Sequence, residues 1–225
     1  MVMDTERRTY DTELRVDAGG YGKKTPTIRG YAAKFNTLSQ SMPIMEEGRQ
    51  IATFREQLIP GCFRTALSTS DVRMLINHDP NLIMGRNGSG TLRMLEDDIG
   101  LSFENDPPET SYSKDIQISM QRGDISQCSF GFKVAQGGDE YRKDPDLPNA
   151  YIRSIRVIEK MFDTSIVTYP AYVDTNCDVA VRSIVGQMKA EEAAVSAAIQ
   201  ETKEAERRQA VYIKRKQLEL AEVTI

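Results

Sequence analysis

Two side chains in this sequence could together carry out acyl transfer, Ser129 as the nucleophile and His78 as its base. Ser129 lies in the segment GDISQCSFGF, where small residues flank its hydroxyl group. A serine hydroxyl attacks a carbonyl only when a base within hydrogen-bond reach accepts its proton. His78, in LINHDP, is the single histidine of the chain, so any histidine chemistry within one chain must use it. The two residues are 51 positions apart (129 − 78), so only the fold could bring them together.

Both residues also have ordinary structural interpretations. Asn-His-Asp-Pro is favourable turn chemistry, which suits a histidine in a surface turn. A serine in a strand usually has a structural role, and the segment does not match the GxSxG pattern of the α/β-hydrolase nucleophile elbow. Spacing alone therefore does not indicate a hydrolase.

A strand must position Ser129, because the segment around it alternates with a period of two. On one face lie Ser126, Cys128, Phe130 and Phe132, and on the other lie Gln127, Ser129 and Gly131. The aromatic face can pack into a core, which leaves the hydroxyl on the opposite face beside a glycine. His78 ends the apolar segment DVRMLINHD, and the end of a strand holds a side chain firmly near the rim of a sheet.

The first half of the chain predicts strands with one short helix. Weak alternation over residues 8–17 and the segment TIRGYAAKFN predict two strands joined by a glycine-rich turn. Residues 38–50 are predicted to form a loop. Pro60-Gly61 breaks the next segment, and a short helix is expected over residues 62–68. Two glycine-rich turn signals between residues 82 and 106 predict a meander.

The second half predicts one helix and further strands. Tyr112, Ile116 and Met120 are four residues apart, and Thr110 or Ser111 could cap a helix that Gly123 ends. Residues 135–150 are predicted to form a polar loop. Residues 151–175 are rich in β-branched side chains and predict one or two strands, followed by an exit at YPAY.

Composition excludes several functional classes. The chain of 225 residues has 29 basic and 33 acidic residues and a net charge of −4, so nucleic-acid binding has no source of counterion release. No apolar run could span a bilayer, and the charged N-terminus does not resemble a secretory signal. The cysteines Cys62, Cys128 and Cys177 form no CxxC pair, which argues against a zinc site or a disulfide framework. No metal or cofactor is expected.

The composition changes near residue 187. Residues 187–225 have no proline and are rich in good helix formers, with seven Lys/Arg and seven Glu. Their apolar stripe is weak, because Thr202 and Glu206 interrupt the row begun by Val195 and Ile199. We therefore expect a main domain over residues 1–186 and a helical tail over 187–225, which is either a partner-binding helix or merely solvated.

An ordered set of motifs makes the chain resemble a known family, the prohead maturation proteases of tailed phages, which are related to the herpesvirus assemblin proteases. The motifs are GYAAKFN, FREQLIPGCF, INHD, MGR, GDISQCSFGF and FDTSIVTYPAYVDT, and the resemblance covers about residues 28–183. It implies a serine endopeptidase of the α+β class that is mainly β. The implied architecture is an antiparallel β-barrel of the herpesvirus-protease type with peripheral helices, followed by the helical tail.

The resemblance also implies roles for individual residues. His78, in the HD-type motif, would be the general base, and Ser129, in the SFGF-type motif, the nucleophile. The third triad member would be Asp163, where the family often has Glu, and Glu159 is the alternative because it shares a strand face with Asp163. Asp79 is read as a turn residue. Arg86, in MGR, is either an electrostatic helper or a surface arginine beside a glycine turn.

The family implies partners and a location. Its substrates are the scaffold protein or the scaffold-like segment of the major capsid protein, inside an assembling procapsid in the host cytoplasm. Such enzymes also cut themselves, so the tail could bind scaffold and later be removed. No nucleic acid or membrane partner is expected, and whether the active form is a homodimer stays open.

Two other classes of protein remain as alternatives. The first is a catalytically inactive scaffold or capsid-assembly module with the same fold, which the aspartate at residue 163 favours. The second is a β-rich binding domain with a coiled-coil tail.

Overall fold

A computed structural model describes residues 5–11, 14–17, 26–169 and 178–223 of the chain. The chain divides into two compact units, Met1–Val179 and Ala180–Ile225. The regular secondary structure described in the first unit is mainly β. In chain order its strands are β1 (Glu6–Asp11), β2 (Arg15–Asp17), β3 (Thr27–Lys34), β4 (Met42–Glu46), β5 (Arg49–Leu58), β6 (Arg73–Ile76), β7 (Asp79–Arg86), β8 (Leu92–Glu96), β9 (Gly100–Asn105), β10 (Gln127–Val134), β11 (Asp139–Lys143), β12 (Ala150–Ile155) and β13 (Ile158–Val167).

In the described residues, three helices accompany the strands. They are α1 (Arg64–Thr69), α2 (Ser111–Gln121) and α3 (Asp178–Val223). A 3₁₀ turn covers Asn87–Ser89. Within the described residues, no helix is both long enough and apolar enough to cross a membrane.

The strands of the described part of the chain form three sheets. The largest has the order β1-β10-β13-β6-β7, and the two four-stranded sheets have the orders β11-β12-β5-β4 and β2-β3-β9-β8. Most neighbours are antiparallel, but β12 pairs with β5 and β13 pairs with β6 in parallel. The mainly β fold with few helices is therefore confirmed. The antiparallel barrel that the resemblance implies is not, because the described strands form open sheets with no closed barrel and two parallel pairs.

The aromatic side of β10 packs into the core as the alternation predicts. Cys128, Phe130 and Phe132 are completely buried. Phe130 stacks on Phe132 with 4.8 Å between ring centroids, and it meets Phe63 edge-on at 5.5 Å. These contacts combine large apolar burial with favourable ring geometry. They fix the strand, so its opposite face has a defined position.

A cluster of buried charges joins β1 to the β11-β12-β5-β4 sheet. Arg153 of β12 is completely buried, and its guanidinium donates to Glu6 of β1, Glu56 of β5 and Asp139 of β11. Arg8 donates to Glu6 and Glu56 in the same cluster. Buried charges persist only when they are paired in this way. The cluster thereby attaches the edge strand beside β10 to a second sheet.

Two predicted loops contain strands. Residues 38–50 include β4 and the start of β5, which pair as an antiparallel hairpin. Residues 135–150 include β11, which pairs with β12 along its full length. β4 and β11 are both edge strands. The exposed positions of β11 are polar, and β4 contains Pro43, so neither sequence reads as a strand.

The helices agree more closely with the sequence. α1 follows Pro60-Gly61 and α2 ends one residue before Arg122, with Gly123 in the left-handed region at φ +82°. Thr110 precedes α2, but its hydroxyl makes no cap hydrogen bond. α3 begins at Asp178 and runs past residue 186 without interruption, so it includes the described part of the predicted tail, residues 187–223. The glycine-rich turn over residues 18–24, Cys177 and most of YPAY lie outside the described residues.

Candidate active site

Ser129 lies on β10, the second strand of the largest sheet. Its Cα is directly opposite Thr9 of β1 on one side and Ser165 of β13 on the other. Its side chain is on the face opposite Phe130, because neighbouring side chains alternate. Ser129 is completely buried. The hydroxyl is thus held between two strands and closed off from solvent in the free chain.

His78 lies in the tight turn between β6 and β7. Both Asn77 and His78 have left-handed backbones, with φ of +50° and +57°. Asparagine and histidine are among the few non-glycine residues enriched in this region. The side-chain oxygen of Asn77 accepts hydrogen bonds from the backbone and hydroxyl of Thr168, and its backbone N–H donates to the carbonyl of Ile166. The turn is therefore anchored to β13 and its exit.

The turn brings the imidazole between a hydroxyl and a carboxylate. His78 Nε2 is 2.9 Å from Ser129 Oγ, and His78 Nδ1 is 2.5 Å from Asp163 Oδ1. The side chains of His78 and Asp163 are only 11% and 10% exposed, so water screens the contact weakly. This is the arrangement of a nucleophile, a base and a group that orients the base.

Asp163 reaches the imidazole because its neighbour on β10 has no side chain. Gly131 is opposite Asp163, and a Cβ at residue 131 would be 2.8 Å from Asp163 Oδ2. Real Cβ atoms do not approach an oxygen so closely. The missing side chain of Gly131 therefore leaves space for the Asp163 carboxylate. From the sequence, the glycine was expected only to leave space beside Ser129.

A second serine, which the sequence interpretation missed, belongs to the same cluster. Ser165 is completely buried, and its hydroxyl donates to Asp163 Oδ1 at 2.8 Å. It also accepts the backbone N–H of His78 at 3.2 Å. The signal was present in the sequence, because period two places residues 163 and 165 on the same face of one strand.

Cys128 is an unsuitable nucleophile although it is adjacent to Ser129. It lies on the core face and contacts the hydroxyl of Thr164 at 3.3 Å. Burial raises the pKa of the Cys128 thiol to about 12, and burial likewise raises the pKa of Cys62 far above its usual range. Since the thiolate is the reactive form, neither cysteine competes with Ser129.

The remaining candidates lie apart from the imidazole. Glu159 forms an exposed ion pair with Lys133 Nζ at 2.8 Å. Asp79 accepts the backbone N–H of Asn81, in a turn at the start of β7. Arg86 donates two hydrogen bonds to Asp71, each 2.7 Å.

The Arg86–Asp71 pair nevertheless lies in the same row of the sheet as the carboxylate. Arg86 is opposite Arg73 on β6, and Arg73 is opposite Asp163 on β13. Asp71 also binds Arg73, and the hydrogen bonds from Arg86 hold the pKa of Asp71 below its usual range. Arg86 is thus two strands away from Asp163 and is engaged by Asp71.

Among the described residues, no group of three or more His, Cys, Asp or Glu side chains could hold a metal ion. The groups that carry chemistry here are a hydroxyl, an imidazole and a carboxylate. Together they can perform proton transfer and nucleophilic attack at a carbonyl.

Comparison with known proteins points to the same chemistry. The family model described as caudovirus prohead serine protease matches residues 11–190. The prohead protease of Enterobacteria phage HK97 is 28% identical over 165 residues, which cover 72% of this chain and 61% of that protein. The chain therefore matches about three fifths of the length of this relative. No solved structure gives a significant match. Since the family model covers well over half of the residues, the chain belongs to the caudovirus prohead serine protease family.

Proposed function

We propose that the chain is a serine endopeptidase that acts during maturation of a tailed-phage procapsid. The observation that carries the proposal is the pair of contacts made by one imidazole, 2.9 Å to Ser129 Oγ and 2.5 Å to Asp163 Oδ1. Family membership supports the same chemistry. Asp163 serves as the third triad member, because it reaches the ring whereas Glu159 binds Lys133.

The proposed reaction is acyl transfer from a peptide to water. His78 Nε2 takes the proton of Ser129 Oγ while Oγ bonds to the peptide carbonyl carbon, and Asp163 stabilises the imidazolium that forms. The intermediate collapses, the C–N bond breaks, and His78 returns the proton to the leaving amine. Water then attacks the ester, again with its proton passing to His78, and the acid leaves as Oγ regains a proton.

Access to the nucleophile requires movement. Because Ser129 is completely buried, a substrate carbonyl reaches Oγ only after groups around it shift. The free chain is therefore expected to cleave small peptides poorly. Assembly into a procapsid would supply the binding energy for opening, since such energy can be used to complete a catalytic site.

The proposed substrates are the scaffold protein or the scaffold-like segment of the major capsid protein, and the enzyme itself. Helix α3 presents an exposed surface over much of its length, including Val195, Ile199 and Tyr212. It would bind scaffold inside the procapsid in the host cytoplasm and be removed by self-cleavage. A homodimer is compatible with this role.

Co-expression with the capsid or scaffold protein tests the proposal. Wild type, Ser129→Ala and His78→Ala would be compared by intact mass spectrometry of every chain in the purified particles. We expect shortened partner or enzyme chains in wild type alone, with the masses giving the cut sites. An uncut C-terminus in wild-type particles whose scaffold is cleaved would contradict the self-cleavage part.

Two outcomes would overturn the proposal. Equal cleavage in all three particles would assign the chemistry to another protein. Assembled particles with no cleavage in wild type would instead favour an inactive capsid-assembly module with the same fold.

A further inference from the structure

The hydroxyl of Ser165 touches more of the candidate triad than any role in packing requires. Its Oγ is 2.8 Å from Asp163 Oδ1, 3.2 Å from His78 Nδ1 and 3.2 Å from the backbone nitrogen of His78. Ser165 is completely buried, so no water competes at these contacts. A buried hydroxyl with three polar neighbours has few ways to arrange its single proton.

Counting protons determines the direction of each hydrogen bond. A serine hydroxyl has one proton and two lone pairs, and an ionised carboxylate only accepts. Ser165 therefore donates to Asp163 Oδ1, and its lone pairs face the backbone N–H and ring Nδ1 of His78. A lone pair beside Nδ1 is favourable only when Nδ1 carries a proton. The hydroxyl thus favours the tautomer in which Nδ1 is protonated.

That tautomer is the one that base catalysis needs. With its proton on Nδ1, the ring presents the free lone pair of Nε2 to Ser129 Oγ, 2.9 Å away. With the proton on Nε2, the ring could not accept the proton of Ser129. In serine proteases the tautomer is normally set by the carboxylate, and loss of the correct one has a large effect on rate.

The backbone contact of Ser165 acts on the same ring. His78 has a left-handed backbone, a conformation that its surroundings must hold in place. Ser165 Oγ accepts the N–H of this residue, and Ser165 itself is fixed on β13 directly opposite Ser129. One side chain therefore connects the nucleophile strand, the carboxylate and the histidine turn.

We propose that Ser165 is a positioning residue of this site, which holds the Asp163 carboxylate and keeps the His78 ring in the Nδ1-protonated tautomer. Its effect on cleavage rests on the proposed protease function, but its effect on the ring does not. The single histidine makes the ring directly observable, because a chain labelled with ¹⁵N-histidine gives signals from His78 alone.

The test compares wild type, Ser165→Ala, Ser165→Thr and Ser70→Ala in the full chain, by ¹⁵N NMR of the neutral ring. Ser70 is the matched control, because its buried hydroxyl accepts the backbone N–H of Met161 on β13. We expect wild type, Ser165→Thr and Ser70→Ala to show Nδ1 protonated. Ser165→Ala should show a measurable population with the proton on Nε2.

Cleavage of the co-expressed partner supplies the second readout. We expect Ser165→Ala to lower the rate of partner cleavage about 10- to 100-fold, the effect of a misplaced catalytic group. Ser165→Thr should restore most of the rate, because it keeps the hydroxyl. If Ser165→Ala does not fold, Ser165→Cys replaces it, since a thiol of similar size is only a weak donor.

The two proposals fail in different ways. A folded Ser165→Ala or Ser165→Cys protein with the wild-type ring spectrum would overturn the positioning role, whether or not the wild type cleaves. The expected change in ring spectrum without any cleavage by wild type would keep the positioning role and count against the protease.

Discussion

Replacing Gly131 with alanine should disable the candidate site while leaving the fold largely intact. Gly131 is opposite Asp163 on the neighbouring strand, and the added Cβ would be 2.8 Å from Asp163 Oδ2. Ordinary contacts of this kind begin near 3.4 Å, so the two atoms would be about 0.6 Å too close. The backbones are constrained, because β10 pairs with β13 both before Gly131 and after the register shift that follows it.

In the Gly131→Ala variant the Asp163 carboxylate must therefore move, and this movement disturbs its hydrogen bonds. Asp163 Oδ1 is held by His78 at 2.5 Å and by Ser165 at 2.8 Å. A displacement of about 1 Å in an active site costs about 100-fold in rate, so we expect kcat/KM to fall about 10- to 100-fold. Overpacking should cost the fold about 1–3 kcal/mol.

The assay is the time course of partner cleavage in assembled particles, followed by intact mass, together with urea unfolding of the purified chain. Gly186→Ala is the control, because among the described residues no atom outside the adjoining turns of α3 lies within 4 Å of the Cβ it adds. In an Asp163→Asn background, Gly131→Ala should cause no further loss, since both changes act through the same carboxylate. Wild-type cleavage by a folded Gly131→Ala protein would refute the reasoning.

Two further predictions concern the third triad member and the buried charges. Asp163→Asn should lower kcat by up to about 10⁴-fold, because it favours the wrong tautomer of His78. Glu159→Gln should leave the rate of cleavage unchanged. Equal losses of cleavage in the two variants would contradict the assignment of Asp163 as the group that orients His78. Burial by itself raises the pKa of Glu56, but Arg8 and Arg153 outweigh it and hold that pKa below its usual range. The ionised carboxylate therefore stabilises the fold above the unfolded pKa of about 4.3, and the stabilisation is lost as the pH falls through the lower folded pKa. Glu56→Gln should lower the free energy of unfolding at pH 7 by about 3–5 kcal/mol. Urea titrations should also show that this free energy depends less on pH in the acid range than it does in wild type. A pH dependence as steep as in wild type would contradict the role of Glu56.

The sequence by itself determined the local parts of the site. Alternation around Ser129 predicted a strand with its aromatic side chains in the core, and β10 has that orientation. The single histidine limited the candidate bases within one chain to one residue. Helix α2 and the short helix α1 follow from spacing and from Pro60-Gly61, since these signals depend only on neighbouring residues.

Edge strands and buried charges were beyond this kind of inference. β11 is polar at its exposed positions and β4 contains a proline, and both strands are short, so their sequences resemble loops. Arg153 and Glu56 would normally be assigned to the surface, because charged residues are rarely buried without partners. Their partners come from strands far apart in the chain, and local patterns carry no information about such pairs.

The meeting of the candidate triad was decided only by the tertiary structure. Ser129 and His78 are 51 residues apart, and Asp163 is a further 34 beyond Ser129 (163 − 129). They converge because β10, β13 and β6 are adjacent in one sheet, with β6 running parallel to β13 and ending at the histidine turn. Strand register also distinguishes Asp163 from Glu159, because Asp163 pairs with Gly131 and Arg73 while a register shift next to Gly131 separates it from Glu159. Residue types thus define the chemistry, and the long-range pairing of strands sets the distances at which it can occur.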